Sequence, residues 1–321
     1  MTTKLFTILI ASILLLCTGN NKKHHVELSE SASIQDKPQV LICSDNKSKT
    51  FVDFITRENI PFVHFVNDGQ FMDSKTPFTF SKDLLLKELE RSYPDPKSSG
   101  IAYIDIEYPY TDYLLKGDIT STNHKKSAKL FLDVLRFVKQ QRPNVKWGYY
   151  GIPFTTYWGR DKNFYDQNKK VDQIIKESDV LFPSIYIFYN NVSFNLENKT
   201  YIQENTEEML KIADRYNKKM YPFIMSRYHP SNQLIGSSKI DESDFKTYVS
   251  TLLQTQYKNK HIDGLVLWNA DGYAYRVNDP VIKKEVEKNK ISNFDVFYDQ
   301  YVIGLLNLMK KEVKQNVYGI K

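Results

Sequence analysis

Short apolar runs alternate with longer amphipathic segments from residue 39 almost to the end of this 321-residue chain. The runs are rich in Val, Ile, Tyr and Phe, and several are continuously apolar, as strands covered on both faces should be. The predicted strands span 39–43, 62–66, 100–106, 146–151, 179–187, 219–225 and 264–268. The helical patterns span 81–90, 127–140, 171–177, 204–216, 243–257 and 294–313. This alternation predicts parallel strands joined by helical crossovers.

A parallel sheet with about seven strands either closes into a barrel or stays open and doubly wound. An open nucleotide-binding sheet usually needs a glycine-rich phosphate loop after its first strand, and none follows residue 43. The sequence therefore favours a closed α/β barrel of the TIM type. In such barrels the functional residues follow the carboxyl ends of the strands.

The N-terminus has the pattern of a targeting segment. Lys4 precedes an apolar run at 5–16, and Cys17-Thr18-Gly19 follows it. A run of this length is typical of a secretory signal, and it is shorter than the about 20 apolar residues of a membrane span. We predict a signal peptide at 1–19, a flexible leader at 20–37 and a single barrel domain at 38–321. The chain is then secreted, or it is a surface lipoprotein in which Cys17 carries lipid.

Charge and composition limit the partners. The net charge is +6, and Lys and Arg do not cluster as they do in a nucleic-acid-binding face, so no nucleic acid is expected. The mild positive charge suits an anionic polymer, although an ordinary solvated surface explains it equally well. Aromatic residues make up 14% of the chain, with 22 Tyr. Tyrosine suits sugar rings because it has a flat apolar face and a hydroxyl group, but core packing accounts for the same composition.

The third run ends in two acidic residues, Asp105 and Glu107. Alternate residues of a strand share a face, so both side chains point the same way. Two partly buried carboxylates repel each other, and one of them should keep its proton to higher pH. A protonated Glu can donate to a leaving glycosidic oxygen. A solvated strand end or an ion-pair site is the alternative interpretation of this pair.

The spacing of the pair limits the mechanism. Residues two apart on a strand lie about 7 Å apart at their Cα atoms. That is too close for the two carboxylates to flank a scissile bond from opposite sides, as in ordinary two-carboxylate glycosidases. A better hypothesis is one acid, Glu107, assisted by the acetamido oxygen of the substrate, with Asp105 orienting that acetamido group. Such chemistry needs no metal and no other cofactor.

Four segments at strand ends resemble the hyaluronidase family of glycoside hydrolases. They are IDIE at 104–107, WGYYGIP at 147–153, ESDVLFPSIY at 177–186 and GLVLWN at 264–269. The resemblance extends from about residue 39 to about residue 293, and the third segment is its most specific part. It implies a distorted (β/α)7-8 barrel and retaining, substrate-assisted hydrolysis without a metal.

The resemblance also implies roles for individual residues. Glu107 matches the general acid and Asp105 its acetamido-orienting partner. The residues matching the family's sugar site are Tyr150, Tyr186 and Trp268, and the further substrate-binding candidates are Tyr149, Asn269 and Arg227. The family usually has an Arg shortly after the catalytic Glu, where this chain has Tyr108-Pro109-Tyr110. Arg227 is the candidate to replace it in reading a uronate carboxylate.

The function predicted from the sequence is endo-hydrolysis of N-acetylhexosaminidic bonds in a glycosaminoglycan such as hyaluronan or chondroitin. Two alternatives remain open: hydrolysis of another N-acetylhexosamine polymer, such as chitin or peptidoglycan, and glycan binding without catalysis. The expected partner is a polysaccharide, and the chain is expected to be a monomer without a membrane span.

Overall fold

The computed structural model describes residues 37–73 and 75–318, with side chains up to residue 316. The predicted signal peptide, Cys17 and nearly all of the predicted leader lie outside the described residues. Within the described part of the chain, no helix is both long enough and apolar enough to cross a membrane.

The strands follow one another in the predicted order, and all their pairings are parallel. The described residues contain β1 (Gln39–Ser44), β2 (His64–Asn67), β3 (Gly100–Asp105), β4 (Val145–Tyr149), β5 (Val180–Leu181), β6 (Lys219–Met220), β7 (Phe223–Met225) and β8 (Gly264–Asn269).

The helices lie between and after the strands. They are α1 (Lys49–Arg57), α2 (Asp68–Phe71), α3 (Lys82–Ser92), α4 (Tyr110–Leu115), α5 (Thr122–Gln141), α6 (Lys162–Gln167), α7 (Asp172–Glu177), α8 (Asn191–Arg215), α9 (Glu242–Gln254), α10 (Asp271–Arg276), α11 (Pro280–Lys288) and α12 (Phe294–Tyr318). A 3₁₀ helix, Asn168–Val171, precedes α7.

The strands form three sheets instead of one continuous ladder. Their orders are β1-β8-β7, β2-β3-β4 and β5-β6. Single parallel bridges connect the edges of neighbouring sheets, at Ile42 with Phe62, Tyr150 with Phe182 and Ser184 with Phe223. The predicted distorted α/β barrel is confirmed, with a mixed helix and parallel-strand architecture. Backbone hydrogen bonds join the sheets beside these bridges, for example from the N–H of Gly151 to Phe182 and from the N–H of Phe223 to Pro183, each at 2.9 Å.

Two predicted elements differ from the observed ones for identifiable reasons. The run at 219–225 is split into β6 and β7 at Pro222, which has no N–H to donate to a ladder. Helix α8 begins at Asn191, well before the predicted start at 204. Its inner face carries the buried residues Asn198 and Asn205, so this stretch shows no apolar stripe in the sequence.

Alternation along the strands separates two layers of core. Ala102 and Ile104 of β3 pack in the layer between strands and helices, whereas Tyr103 points into the barrel. The buried residues of the interior are Leu41, Cys43, Val63, Tyr103, Val180, Phe182, Tyr186, Tyr221, Phe223, Met225 and Val266, and Phe65, Ile101, Tyr150 and Trp268 pack against them. The barrel interior is therefore lined mainly by aromatic rings.

Candidate active site

Asp105 lies at the carboxyl end of β3, opposite Asn67 at the end of β2. The Asn67 amide donates a long hydrogen bond of 3.5 Å to Oδ2, and Oδ1 is buried without a partner. Burial, together with the negative charges of Glu107 and Asp68, raises the pKa of Asp105 from 3.8 to about 7. The fold thus holds a carboxyl group with an unused acceptor at the end of the barrel.

Glu107 lies two residues beyond Asp105, and its side chain is exposed. Its backbone N–H donates to Oδ2 of Asp68 at 3.2 Å. Partial loss of hydration and the charge of Asp68 both raise the pKa of the Glu107 carboxyl. Exposure to solvent together with a raised pKa is what a general acid requires, because the proton must be both retained and deliverable.

Asp68 and Asn67 were not among the sequence-predicted site residues. Asn67 ends β2, and Asp68 opens the four-residue helix α2. Three carboxylates, Asp68, Asp105 and Glu107, therefore share this edge of the barrel. The signal was available in the sequence, since both residues follow a predicted strand in the same way as Asp105 and Glu107 do.

Tyr150, Tyr186 and Trp268 gather at the same end of the barrel. The ring centroids of Tyr150 and Tyr186 are 6.1 Å apart, and those of Tyr186 and Trp268 are 6.5 Å apart. Burial raises the pKa of Tyr150 to about 12, and the charges of Glu107 and Asp105 act in the same direction. The backbone N–H of Tyr150 donates to the carbonyl of Ile104 at 3.1 Å, so Tyr150 lies next to the end of β3 that carries Asp105.

His229 extends this aromatic wall. Its ring centroid lies 5.9 Å from that of Tyr186 and 4.7 Å from that of Phe188. The backbone N–H of Ser231 donates to Nδ1 of His229 at 3.2 Å, and burial lowers the pKa of the imidazole. His229 is therefore a neutral group at neutral pH. The sequence analysis missed it because a single histidine after a strand carries no motif.

Tyr149 does not join the group. It is fully buried in the layer between strands and helices, and its hydroxyl donates to the carbonyl of Phe131 in α5 at 2.6 Å. The physical reason is the strand alternation, since neighbouring residues of β4 point to opposite faces. Tyr150 faces the barrel interior, and Tyr149 faces the helix.

Arg227 does not join the group either. It is buried, and its guanidinium forms a bidentate ion pair with Asp271 at 2.8 and 2.6 Å. A third nitrogen donates to Glu285 and to the carbonyl of Ser237, each at 2.9 Å. The donors that could read a uronate carboxylate are therefore already engaged inside the protein.

Asn269, the last residue of β8, is also buried. Its carbonyl accepts from the backbone N–H of Asp45 at 3.3 Å, and its side-chain oxygen accepts from the N–H of Asp271 at 3.3 Å. These contacts connect the end of β8 to β1 and to α10. They give Asn269 a structural position beneath the mouth.

Within residues 37–73 and 75–318, no group of three or more His, Cys, Asp and Glu side chains is arranged to hold a metal ion.

The comparisons with known proteins agree with this architecture. Residues 115–274 match the family model described as hyaluronidase. A relative from the wasp Vespula vulgaris, "Inactive hyaluronidase B", is 24% identical over 287 residues, which cover 76% of this chain and 79% of the relative. "Chondroitin hydrolase" from Caenorhabditis elegans is 27% identical over 196 residues, 50% of this chain and 40% of the relative.

Among solved structures, bee venom hyaluronidase in complex with a hyaluronic acid tetramer is similar, with a TM-score of 0.51 and 15% identity. The alignment covers 81% of this chain and 98% of that one. The structural similarity extends over nearly the whole bee venom chain, and at this identity it shows a shared fold. The family-model match begins at Leu115, so it contains the aromatic residues of the site and starts after Asp105 and Glu107.

Proposed function

This chain is a hyaluronidase-like protein in sequence and in fold, and from that premise we propose that it is an endo-acting glycoside hydrolase of N-acetylhexosamine-containing glycosaminoglycans. The proposed substrates are polymers of the hyaluronan or chondroitin type. Glu107 is the proposed general acid, and Asp105 is its acetamido-orienting partner.

One observation carries the proposal: Oδ1 of Asp105 is a buried acceptor without a donor, next to a glutamate of raised pKa. An unsatisfied buried acceptor costs about 1–3 kcal/mol, so such groups are uncommon in folded proteins. An acetamido N–H would satisfy this one. The same hydrogen bond would orient the acetamido oxygen toward the anomeric carbon.

The charge of Glu107 raises the pKa of Asp105, so the ionisation of the two carboxyl groups is linked. A donor at Asp105 favours its ionised form, since a hydrogen bond to the charged state lowers a carboxyl pKa. The negative charge then makes it harder for Glu107 to ionise. Substrate binding would in this way leave the proton on Glu107, where the reaction needs it.

The proposed reaction retains configuration. The acetamido oxygen attacks the anomeric carbon while Glu107 protonates the glycosidic oxygen, and the bond between that carbon and that oxygen breaks. Asp105 stabilises the positive charge that develops on the acetamido group. The Glu107 carboxylate then takes a proton from the water that attacks the same carbon, and the bond between that carbon and the acetamido oxygen breaks, which restores both the acid and the acetamido group.

The aromatic wall would position the sugar for this reaction. Tyr150 and Trp268 are half-buried, so part of each ring is available at the mouth. Their faces suit the apolar side of a pyranose ring. The Tyr150 hydroxyl lies 3.3 Å from the hydroxyl of Ser184, which fixes its direction.

A neutral N-acetylhexosamine polymer such as chitin or peptidoglycan is a second candidate substrate. It is favoured by the engagement of Arg227 with Asp271 and Glu285 and by the burial that keeps His229 neutral. Neither residue would then offer a free positive charge to a uronate. Binding that weakens as salt rises would indicate the anionic polymer instead.

Glycan binding without catalysis is a further candidate, because one relative carries the name of an inactive hyaluronidase. A binding protein has no need for a glutamate of raised pKa, which is present here. Turnover therefore separates the two possibilities.

The deciding experiment is Glu107→Gln assayed with hyaluronan, chondroitin and chitin oligosaccharides. We expect the native chain to release N-acetylhexosamine reducing ends. The variant should lose about 10²–10⁴-fold in kcat, the usual contribution of a general acid. Glu287→Gln is the matched control, because Glu287 is an exposed residue of α11. Full activity in Glu107→Gln, with unchanged thermal unfolding, would exclude the mechanism.

We also propose that the protein is a secreted monomer, with surface attachment through Cys17 as the alternative. The support is the signal-like pattern at 1–19 and the family likeness. The mass of the N-terminal peptide of the mature protein distinguishes a cleaved chain from one that carries lipid on Cys17. Sedimentation of the mature protein gives its oligomeric state.

A further inference from the structure

A group of aromatic residues lies on the loops outside the mouth. Trp158 is 51% exposed, and its ring centroid lies 5.5 Å from that of Tyr189 and 6.1 Å from that of Phe194. The centroids of Tyr189 and Phe194 are 4.7 Å apart, and the indole N–H of Trp158 donates to the Tyr189 hydroxyl at 3.3 Å. We call Trp158, Tyr189 and Phe194 the outer aromatic cluster.

The outer aromatic cluster lies on the same side of the barrel as the carboxylates. Trp158 belongs to the connection that follows β4, and Tyr189 to the one that follows β5. The two connections are joined where Thr155 donates to the carbonyl of Ser184 at 2.7 Å. The hydroxyl of that same Ser184 lies 3.3 Å from the hydroxyl of Tyr150 in the site. One residue thus connects the loop of the cluster to the wall of the mouth.

A continuous path of ring contacts runs from the cluster to the site. Trp158 contacts Tyr157 with ring centroids 4.7 Å apart, and Tyr157 contacts Phe188 at 5.5 Å. Phe188 contacts His229 at 4.7 Å, and His229 contacts Tyr186 at 5.9 Å. Tyr157 and Tyr186 are buried, whereas Phe188 and His229 are half-buried, so this path is continuous aromatic packing with two partly exposed rings between the mouth and Trp158.

The segment that carries Trp158 is held rigidly. The buried Asn205 of α8 accepts from the N–H of Thr156 and donates to its carbonyl, both at 2.9 Å. The hydroxyl of Tyr157 donates to the buried Asn198 at 2.7 Å, and Arg160 pairs with Glu197 at 2.6 Å. An exposed indole on such a support is pre-organised, so binding to it costs little conformational entropy.

We propose that the outer aromatic cluster is a remote sugar-binding subsite, which stacks pyranose rings of the same polysaccharide several units away from the cleaved bond. This inference rests on the proposed function and adds to it a preference for long chains. An exposed aromatic patch indicates a binding surface. Its place on the mouth side of the barrel, on a loop bonded to the wall of the mouth through Ser184, selects the extended polymer as the occupant, because a chain that leaves the site past the half-buried Phe188 and His229 meets Trp158 next.

The test compares short and long oligosaccharides in Trp158→Ala. We expect kcat/KM for long chains to fall about tenfold, the effect of losing roughly 1–1.5 kcal/mol of aromatic contact. For the shortest cleavable oligosaccharide, kcat/KM should stay within about twofold, because such a ligand does not reach the cluster. Trp158→Phe keeps a ring and should retain most of the long-chain preference. Tyr165→Ala is the control, since Tyr165 is a similarly exposed aromatic residue, at 47%.

Binding measurements separate this inference from the proposed function. In the Glu107→Gln background, Trp158→Ala should weaken binding of long oligosaccharides about tenfold and leave short ones unchanged. If the native chain binds these glycans with this length dependence but never cleaves them, the hydrolase proposal fails and the subsite stands. Three outcomes would overturn the subsite. They are equal effects of Trp158→Ala on long and short ligands, no effect on either, and no glycan binding at all.

Discussion

At the scale of single residues, the Asp105 carboxyl group loses most of its water and gains only the 3.5 Å contact from Asn67 in return. Its pKa in the folded chain is about 7, against 3.8 for an unperturbed carboxyl. Between these pH values the native state binds more protons than the unfolded state does, so stability falls as pH rises through this window. The difference corresponds to at most about 4 kcal/mol.

Asp105→Asn should therefore remove a pH dependence of stability. We expect the variant to gain up to about 4 kcal/mol over the native chain between pH 4 and pH 8, because the amide cannot become charged. Urea unfolding at several pH values measures this difference. Asp295→Asn, an exposed carboxyl in the first turn of α12, serves as control. A constant difference between variant and native chain at every pH would contradict the assigned pKa.

Some of the site could be predicted from single residues, and some could not. Strand alternation predicts that Tyr150 points into the barrel, where its ring packs against the interior residues. The same alternation implies that Tyr149 points to the opposite face, although the resemblance made Tyr149 a substrate-binding candidate. The position of Arg227 is set by its ion pairs with Asp271 and Glu285, which lie far from it in the sequence, and no local pattern predicts such pairing.

At the scale of elements, Tyr149 joins β4 to α5. Its ring centroid lies 4.6 Å from that of Phe131, and its hydroxyl donates to the carbonyl of that residue. This contact holds β4, which Tyr150 directly follows, against α5. The hydroxyl therefore contributes to stability and only indirectly to the site.

Tyr149→Phe should lower the free energy of unfolding by about 0.5–1.5 kcal/mol, the usual contribution of one buried hydrogen bond. The ring remains, so β4 keeps its position, and kcat/KM measured per folded molecule should not change. Tyr165→Phe, which alters an exposed ring, should change neither quantity. A drop in kcat/KM larger than the loss of folded protein would place the Tyr149 hydroxyl in catalysis.

The boundaries of elements were predicted less well than their order. A buried face made of Asn198 and Asn205 concealed the first half of α8, because those amides serve the loop of Thr156 and not a core. Pro222 was visible in the sequence, yet the effect of its missing N–H depends on which neighbour it faces. Local patterns therefore locate elements, whereas tertiary partners decide where the elements end.

At the scale of the whole molecule, Arg227 ties the end of β7 to the last three helices. It pairs with Asp271 of α10 and Glu285 of α11, and its guanidinium lies 5.8 Å from the ring centroid of Tyr301 in α12. These helices follow the last strand, so the network connects the C-terminal helices to the barrel.

Asp271→Ala should destabilise the protein by about 3–5 kcal/mol, because it leaves a buried guanidinium with incomplete pairing. Removing both charges in Arg227→Met/Asp271→Ala should cost clearly less than the single change, since no uncompensated charge remains. Denaturant unfolding of both variants measures this ordering. Equal or greater destabilisation in the double variant would show that the ion pair stabilises the fold in its own right.

The global architecture was the most predictable level. Alternating strand and helix signals run through the chain, and they specify parallel strands with crossovers whatever the exact boundaries are. The three-sheet arrangement was not predictable, since the bridges between sheets depend on register across residues far apart in sequence.

The backbone hydrogen bonds between the sheets also determine how the mouth is held. Asp68 and Asp105 follow β2 and β3, which belong to one three-stranded ladder. Tyr186 follows β5, which is joined to β7 by the bonds from the Phe223 N–H to Pro183 at 2.9 Å and from the Ile185 N–H to Phe223 at 3.0 Å. Both sides of the mouth therefore belong to one bonded ring of strands. A ligand that enters meets a scaffold already in place, so its affinity depends on fit more than on rearrangement of the strands.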